Sequence, residues 1–239
     1  MQTESRNAYI AVVLQMILIG FSFMALKIAL DYSKPFDILG HRFIFAFIAS
    51  SLPIIFGFVK LRMTHLGATM FITLGIFYPS LFFAFQLLGI KYTTTSEAGI
   101  IFASTPILVA LLAALVLKEK TTILQRLFIV MSVSGVIYIV LMRGSDIPAN
   151  YSFKGIFYTL LSAASTAIYT VLVRKYRHEY SNYTLMYMMM LIGLVVFNGI
   201  ALVEHGLAGT WRDYLVPLWE MRYIASVFYV GVISTFITQ

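Results

Sequence analysis

The chain has no cysteine, so disulfides and thiolate metal sites are excluded from the outset. Charge is scarce as well: Asp, Glu, Lys and Arg make up 11% of the 239 residues, against about a quarter in soluble domains. Helices of a soluble protein need charged outer faces, and this chain cannot supply them. There is no HExxH pair, no nucleophile elbow and no glycine-rich phosphate loop. The four histidines, His41, His65, His178 and His205, fall at or between expected helix ends and share no ligand spacing. No catalytic set, metal site or cofactor is expected, and nothing resembles an ATP-binding motif.

What the chain has in quantity is apolar sequence. Eight stretches free of Asp, Glu, Lys and Arg follow one another: 7–26, 43–59, 66–90, 98–117, 127–142, 155–173, 180–203 and 223–239. A hydrocarbon core of about 30 Å needs roughly 20 apolar residues in a helix, so each stretch suits one crossing. Tyr and Trp gather at the ends of these runs, at Tyr9, Tyr32, Tyr92, Tyr151, Tyr176, Tyr183, Trp211, Trp219 and Tyr223, where an amphipathic ring sits at headgroup depth. The formal net charge of +7 comes from basic residues in the connectors. That fits membrane-flanking loops, and no nucleic-acid partner is expected. The fold class is an all-α integral membrane protein with about 7–8 transmembrane helices.

Placing the N-terminus in the cytoplasm puts Arg6, Lys60, Arg62, Lys118, Lys120, Arg126, Arg174, Lys175 and Arg177 inside. Outside are Lys34, Lys91, Arg143, Lys154, Arg212 and Arg222, once Lys27 and Arg42 are assigned to helix ends. The balance favours that orientation, in a plasma (inner) membrane. The first run is long for a signal-peptide core and reads as a retained span.

The runs also repeat. Leu74-Gly75-Ile76-Phe77-Tyr78 aligns with Val230-Gly231-Val232-Ile233-Ser234, each opening the third helix of a five-helix unit. The organisation expected is a first unit over 1–142, a connector over 143–152 and an incomplete second unit over 153–239. Five helices per unit would invert the second copy relative to the first, the arrangement of many secondary transporters. Resemblance by composition alone is the competing account.

Residues 93–142 carry the most distinctive pattern: Ser96, Glu97 and Ala98, then Pro106, the Leu/Ala run from Ala110 to Leu117, Glu119, and Gly135-Val136. Gly20, Lys27, Pro35 and Arg42 fit the same pattern in the first two helices. This segment resembles the EamA-type branch of the drug/metabolite transporter superfamily. The resemblance spans essentially the whole chain, strongly over 1–142 and weakly over 153–239. It implies ten helices in two inverted five-helix units, with a cavity drawn from helices one, three, four and six plus eight and nine. It implies export or exchange of small organic metabolites, such as amino acids, their derivatives or drugs, by alternating access. The partners would be a small-molecule solute and the lipid bilayer; the drive would come from the gradient of a coupling ion or from the solute gradient itself.

Several residues are candidates for that work. Gly75, Pro79, Phe83 and Gln86 share one expected face of helix three, beside Tyr78 and Ser80. Ser162, Ser165, Thr166 and Tyr169 share a face of helix six, and Gln15 and Ser22 lie seven residues apart on helix one. Polar groups in hydrocarbon are costly unless paired or turned to a cavity. These faces therefore mark either a solute cavity or hydrogen bonds between helices. Gly99, Ala103, Pro106, Ala110 and Ala113 form a small-residue stripe on helix four, suited to close helix packing, and Pro106 is expected to bend it. Lys27, Arg42 and Glu97 fall near one membrane boundary. They form either an outer gate, or a pair of snorkelling bases with Glu97 capping a helix. Glu119, flanked by Lys118 and Lys120, is read as an ion pair fixing a turn, with proton coupling as the alternative.

A seven-helix receptor-like protein is the competing membrane class, and it requires an extracellular N-terminus. A membrane-embedded enzyme requires catalytic pairs that the chain does not display. On the ten-helix pattern the eighth run is unfinished at Gln239. The chain is thus expected to be an incomplete copy, and the purified 239-residue protein is expected not to transport in liposomes.

Overall fold

A computed structural model of the chain describes residues 2–59, 61, 67–116, 149–176 and 180–238, together with 123, 124, 127, 130, 131, 134, 135 and 138. The elements among the described residues are all helical, with no strand among them. In chain order the helices are α1 (Gln2–Leu30), α2 (Pro35–Ile55), α3 (Gly67–Gly75), α4 (Phe82–Tyr92), α5 (Thr95–Ala103) and α6 (Thr105–Val116). They continue with α7 (Ala149–Tyr176), α8 (Asn182–Ala208), α9 (Trp211–Leu215) and α10 (Met221–Phe228). Two π-helical segments, Ile76–Leu81 and Tyr229–Ile237, join α3 to α4 and extend α10.

Six of the described segments are long and apolar enough to cross a membrane: 10–30, 35–55, 69–92, 95–116, 153–174 and 182–208. The pair Trp211–Trp219 and Met221–Ile237, bent by 91°, makes a seventh if counted as one span. Large apolar side chains such as Ile17, Ile55, Leu115, Val195 and Val203 point outward, as a helix facing lipid requires. The fifth charge-free run, 127–142, lies largely outside the described residues.

Local sequence explains where these helices start and break. Lys34 is extended, with φ −71° and ψ 153°, and Pro35 follows at the first helical position. A missing N–H costs nothing there. Thr94 accepts from the Glu97 amide at 3.2 Å while the Glu97 carboxylate accepts from the Thr94 amide at 3.1 Å. This capping box starts α5. The segment ends at Ser104, just ahead of Pro106, and resumes as α6. Helix three departs from expectation more sharply. Tyr78, before Pro79, takes extended dihedrals of φ −142° and ψ 118°, because the residue preceding a proline is pushed away from the helical region. Gly75 and Pro79 therefore do not share a continuous helical face with Phe83 and Gln86.

The chain forms two compact units, each drawing on both sequence halves. One comprises Met1–Lys60 and Leu194–Gln239, the other Leu61–Gly193. In the second, α4 crosses α7 where Gly155 faces the Tyr92 carbonyl and Gly89 faces Thr159. Ser162 donates to the Phe82 carbonyl at 2.7 Å a little further along. Gly75 lies against Ile192 of α8. In the first unit, Gly231 lies against the Arg42 carbonyl and the Phe45 Cβ of α2. Tyr229 donates to the Leu18 carbonyl of α1 at 2.9 Å. Lipid gives helices no hydrophobic reason to associate, so such small-residue approaches and hydrogen bonds hold them together.

A Cβ at Gly155 would stand 2.7 Å from the Tyr92 carbonyl carbon and oxygen, whereas one at Gly99 would meet nothing within 4 Å. Gly155→Ala is expected to destabilise by about 1–3 kcal/mol, read as a lower Tm in detergent. Gly99→Ala serves as the neutral control.

Candidate functional site

The second unit holds an aromatic and polar cluster around the interruption at Tyr78. The extended backbone there turns the Tyr78 ring onto Tyr169 of α7, with centroids 4.7 Å apart and planes at 26°. Phe82 and Phe83 flank it at 5.0 and 5.1 Å. Gln86, one turn further along α4, is 5% exposed, and its Oε1 has no hydrogen-bond partner among the described residues. A buried carbonyl without a donor costs about 1–3 kcal/mol. It is a ready acceptor for a ligand N–H or O–H.

The first unit holds a different assembly, built on the opening turns of α2. Asp37 and His41 are four residues apart and therefore on one face; both are 2% exposed. Asp37 Oδ1 lies 2.9 Å from His205 Nε2 on the last turn of α8. The other ring nitrogen of His205, Nδ1, faces Thr210 twice, at 2.8 Å to Oγ1 and 3.1 Å to the carbonyl oxygen. Gly209 makes that return possible. Its φ of +67° lets the Thr210 amide bond back to the His205 carbonyl at 3.1 Å, the Schellman closure of a helix.

Around this pair a chain of polar contacts links α2 to α8, α9 and α10. His41 Nδ1 meets the Tyr223 hydroxyl at 2.7 Å, and its ring lies 4.2 Å from that of Tyr214. Tyr214 donates to Asn198 Oδ1 at 2.8 Å, and Asn198 Nδ2 donates to the Gly40 carbonyl at 3.2 Å. Gly40 has no room for a side chain, since a Cβ would stand 2.7 Å from the Tyr214 hydroxyl. Arg42 Nε donates to Thr235 Oγ1 at 2.8 Å. At the exposed edge Lys34 and Glu204 pair at 2.7 Å. That hydrogen bond holds the Lys34 ammonium above the usual lysine range.

The structure brings some expected site residues together and gives others partners of their own. Tyr78 and Tyr169 stack, with Gln86 and Ser162 on the same helix pair. Ser165 and Ser22 bond back to their own helices, at Leu161 and Ile19. Gln15 donates to the Thr238 carbonyl at 2.8 Å in the first unit. Pro106 is exposed. Lys27 and Arg42 belong to the first unit and Glu97 to the second. Arg42 is buried at 2% exposure and bonded to Thr235, which corrects the reading of it as a snorkelling base. Glu97 forms the capping box and also accepts from the Thr93 hydroxyl. Glu119 lies outside the described residues.

The Asp37–His205 assembly is not visible in the sequence pattern, where the histidines lack ligand spacing. His205 lies in the last turn of α8, at a helix end as expected, whereas His41 lies inside α2; His65 and His178 lie outside the described residues. One signal was available: Asp37, His41 and Arg42 crowd the first two turns of an otherwise apolar 21-residue helix.

Apolar helices of crossing length that enclose polar side chains define an integral, multi-pass membrane protein. The EamA-like transporter family matches residues 6–141 and 153–239. The chain is 46% identical over 236 residues to a Bacillus subtilis (strain 168) protein named uncharacterized transporter YcxC, covering 99% of this chain and 75% of that one. It is 28% identical over 222 residues to an uncharacterized transporter of Buchnera aphidicola subsp. Schizaphis graminum (strain Sg), covering 89% and 68%. A third relative, an uncharacterized transporter of Archaeoglobus fulgidus, is 26% identical over 218 residues, covering 91% and 72%. The chain belongs to the EamA-like transporter family, and it is a membrane transporter.

A Cβ at Gly209 would meet nothing within 4 Å, so the requirement for glycine there is purely one of backbone. Gly209→Ala is expected to cost about 1 kcal/mol through the left-handed φ alone, measured as a drop in Tm. Gly209→Asn, which tolerates that region, is expected to recover part of it.

Proposed function

We propose that the protein is a secondary transporter moving small organic metabolites, amino acids or their derivatives, by alternating access. The observation that carries this reading is a pair of π-helical departures from the regular α-helix, at positions that the sequence alignment pairs in two halves of the chain. Gly75 precedes the π-helical segment Ile76–Leu81, and Gly231, its partner in the sequence alignment, lies within the segment Tyr229–Ile237. Each glycine lies against a helix of the opposite half: Gly75 against α8 and Gly231 against α2. In the order of runs these are the seventh and second spans, which are themselves equivalent under a shift of five. Paired departures of this kind support a solute site in a carrier built from inverted repeats.

The broken backbone also supports a binding role for the Tyr78 cluster. Irregular backbone in hydrocarbon is tolerated where it is buried in protein or lines a cavity. At Tyr78 it meets stacked aromatic rings and the unpartnered Gln86 oxygen. Aromatic faces hold the apolar body of a solute, and the amide oxygen takes an N–H from its polar end. An N-terminus in the cytoplasm, with α1 running outward, completes the reading on the balance of basic residues.

Metabolites released by cells carrying the gene are to be compared with those of cells lacking it, without choosing substrates beforehand. At least one amino acid or derivative is expected to accumulate outside only when the gene is present. In the same assay Gln86→Leu is expected to lower export at least about tenfold, the loss of one buried hydrogen bond. Unaltered release of every metabolite would defeat the reading.

A further inference from the structure

We propose that the Asp37–His205 pair is the proton-binding site of this transporter, accepting a proton at His205 Nδ1 and coupling its movement to that of the solute. The proposal rests on the transporter reading above and names its coupling ion.

The geometry at His205 suits two protonation states equally. With the carboxylate of Asp37 at 2.9 Å, Nε2 carries a hydrogen and donates it. Nδ1 is then free to be either acceptor or donor, and Thr210 offers both functions to it. The hydroxyl at 2.8 Å donates to a neutral ring, while the carbonyl oxygen at 3.1 Å accepts from a protonated one. Adding a proton at Nδ1 therefore strands neither ring nitrogen. The positive charge it brings lies against the Asp37 carboxylate, so the loaded site is a neutral ion pair. In an apolar surrounding that compensation decides whether a charge is tolerable. A lone carbonyl on the second nitrogen would instead fix one state.

Every element packed around the pair contributes to its field. From α2 come His41 and Arg42. From α8 comes Glu204, paired with Lys34 of the α1–α2 connector. Asp213 and Tyr214 follow from α9, and Tyr223 from α10. His41, stacked on Tyr214 and bonded to Tyr223, faces the pair as a second imidazole; charge on either ring opposes charge on the other. One proton at a time is the expected load. It comes from water on one side, resides on the imidazole as imidazolium against Asp37, and returns to water on the other when the site is re-exposed.

Trp211 gives a direct probe, its ring lying 6.2 Å from that of His205, within quenching range of an imidazolium. The chain has two tryptophans, so in the Trp219→Phe background, in nanodiscs, emission reports Trp211 alone. Acidification through the range where histidines titrate, about pH 8 to 5, is expected to quench it in one single-proton transition. The transition should be lost in His205→Gln, be altered in Asp37→Asn, and persist in His41→Asn. Absence of a transition, or one surviving unchanged in His205→Gln, overturns the proposal; the matching Tm of each variant shows that loss is not unfolding.

The second arm uses the protein in pyranine-loaded proteoliposomes, with radiolabelled proteinogenic amino acids as the probe. Wild type is expected to move protons when an amino acid gradient is imposed. Asp37→Asn is expected to lose that movement, and its Tm shows that the loss is not unfolding. Wild-type counterflow without proton movement overturns proton coupling and leaves the transporter reading intact. No counterflow by any amino acid defeats the amino acid reading and the coupling with it.

Discussion

Hydrocarbon offers a polar atom no water, and nearly every contact described above answers that constraint. Backbone amides are satisfied within helices because no other local solution exists in lipid. Where the helix is interrupted, at Tyr78 and before Pro106, the freed groups lie in segments packed against other helices or closed by local turns. The Ser104 carbonyl, for example, accepts from the Ile107 amide at 3.0 Å. Side chains obey the same rule. Serines and threonines on α1, α2 and α7 bond back to their own helices, at Ile19, Phe47, Leu161 and Thr166. Those that reach further, such as Ser162 to the Phe82 carbonyl, join helices.

With hydrophobic collapse unavailable between helices, closeness must come from missing side chains. Gly155 on the Tyr92 backbone and Gly231 on the Arg42 carbonyl are places where even one methyl group would force the helices apart. The second contact has a functional side. It fixes α2 at the residue whose guanidinium reaches Thr235, next to His41 and little more than one turn beyond Asp37. Packing and chemistry thus share the same two turns, and a change in how Tyr229–Ile237 sits on α2 would be felt at the polar groups beside it.

The two polar assemblies differ in kind. Around Tyr78 the side chains are mainly aromatic and the amide of Gln86 is under-satisfied, an arrangement open to a ligand. At His205 both ring nitrogens have partners, and Thr210 presents a donor and an acceptor to one of them. The first suits an organic solute. The second suits a particle with no volume, for which protonation exchanges one full set of hydrogen bonds on the ring for another.

Sequence alone determined the class. Eight charge-free runs of crossing length in a chain with 11% charged residues leave a membrane protein, because lipid imposes length and apolarity residue by residue. The family pattern over 93–142 was legible for a similar reason: it is a local string. Tyr78, Gln86, Ser162 and Tyr169 stand out in the sequence as polar interruptions of apolar faces, and the structure places them on one helix pair. The site of Asp37, His41, His205, Thr210, Tyr214 and Tyr223 was not, although each residue stood in plain view. Its members lie up to 186 residues apart (37 to 223), and the assembly depends on a left-handed glycine at 209 and on α8 and α10 meeting the start of α2. Hydropathy records what each residue costs in lipid, and only the tertiary structure decided which partners repay that cost.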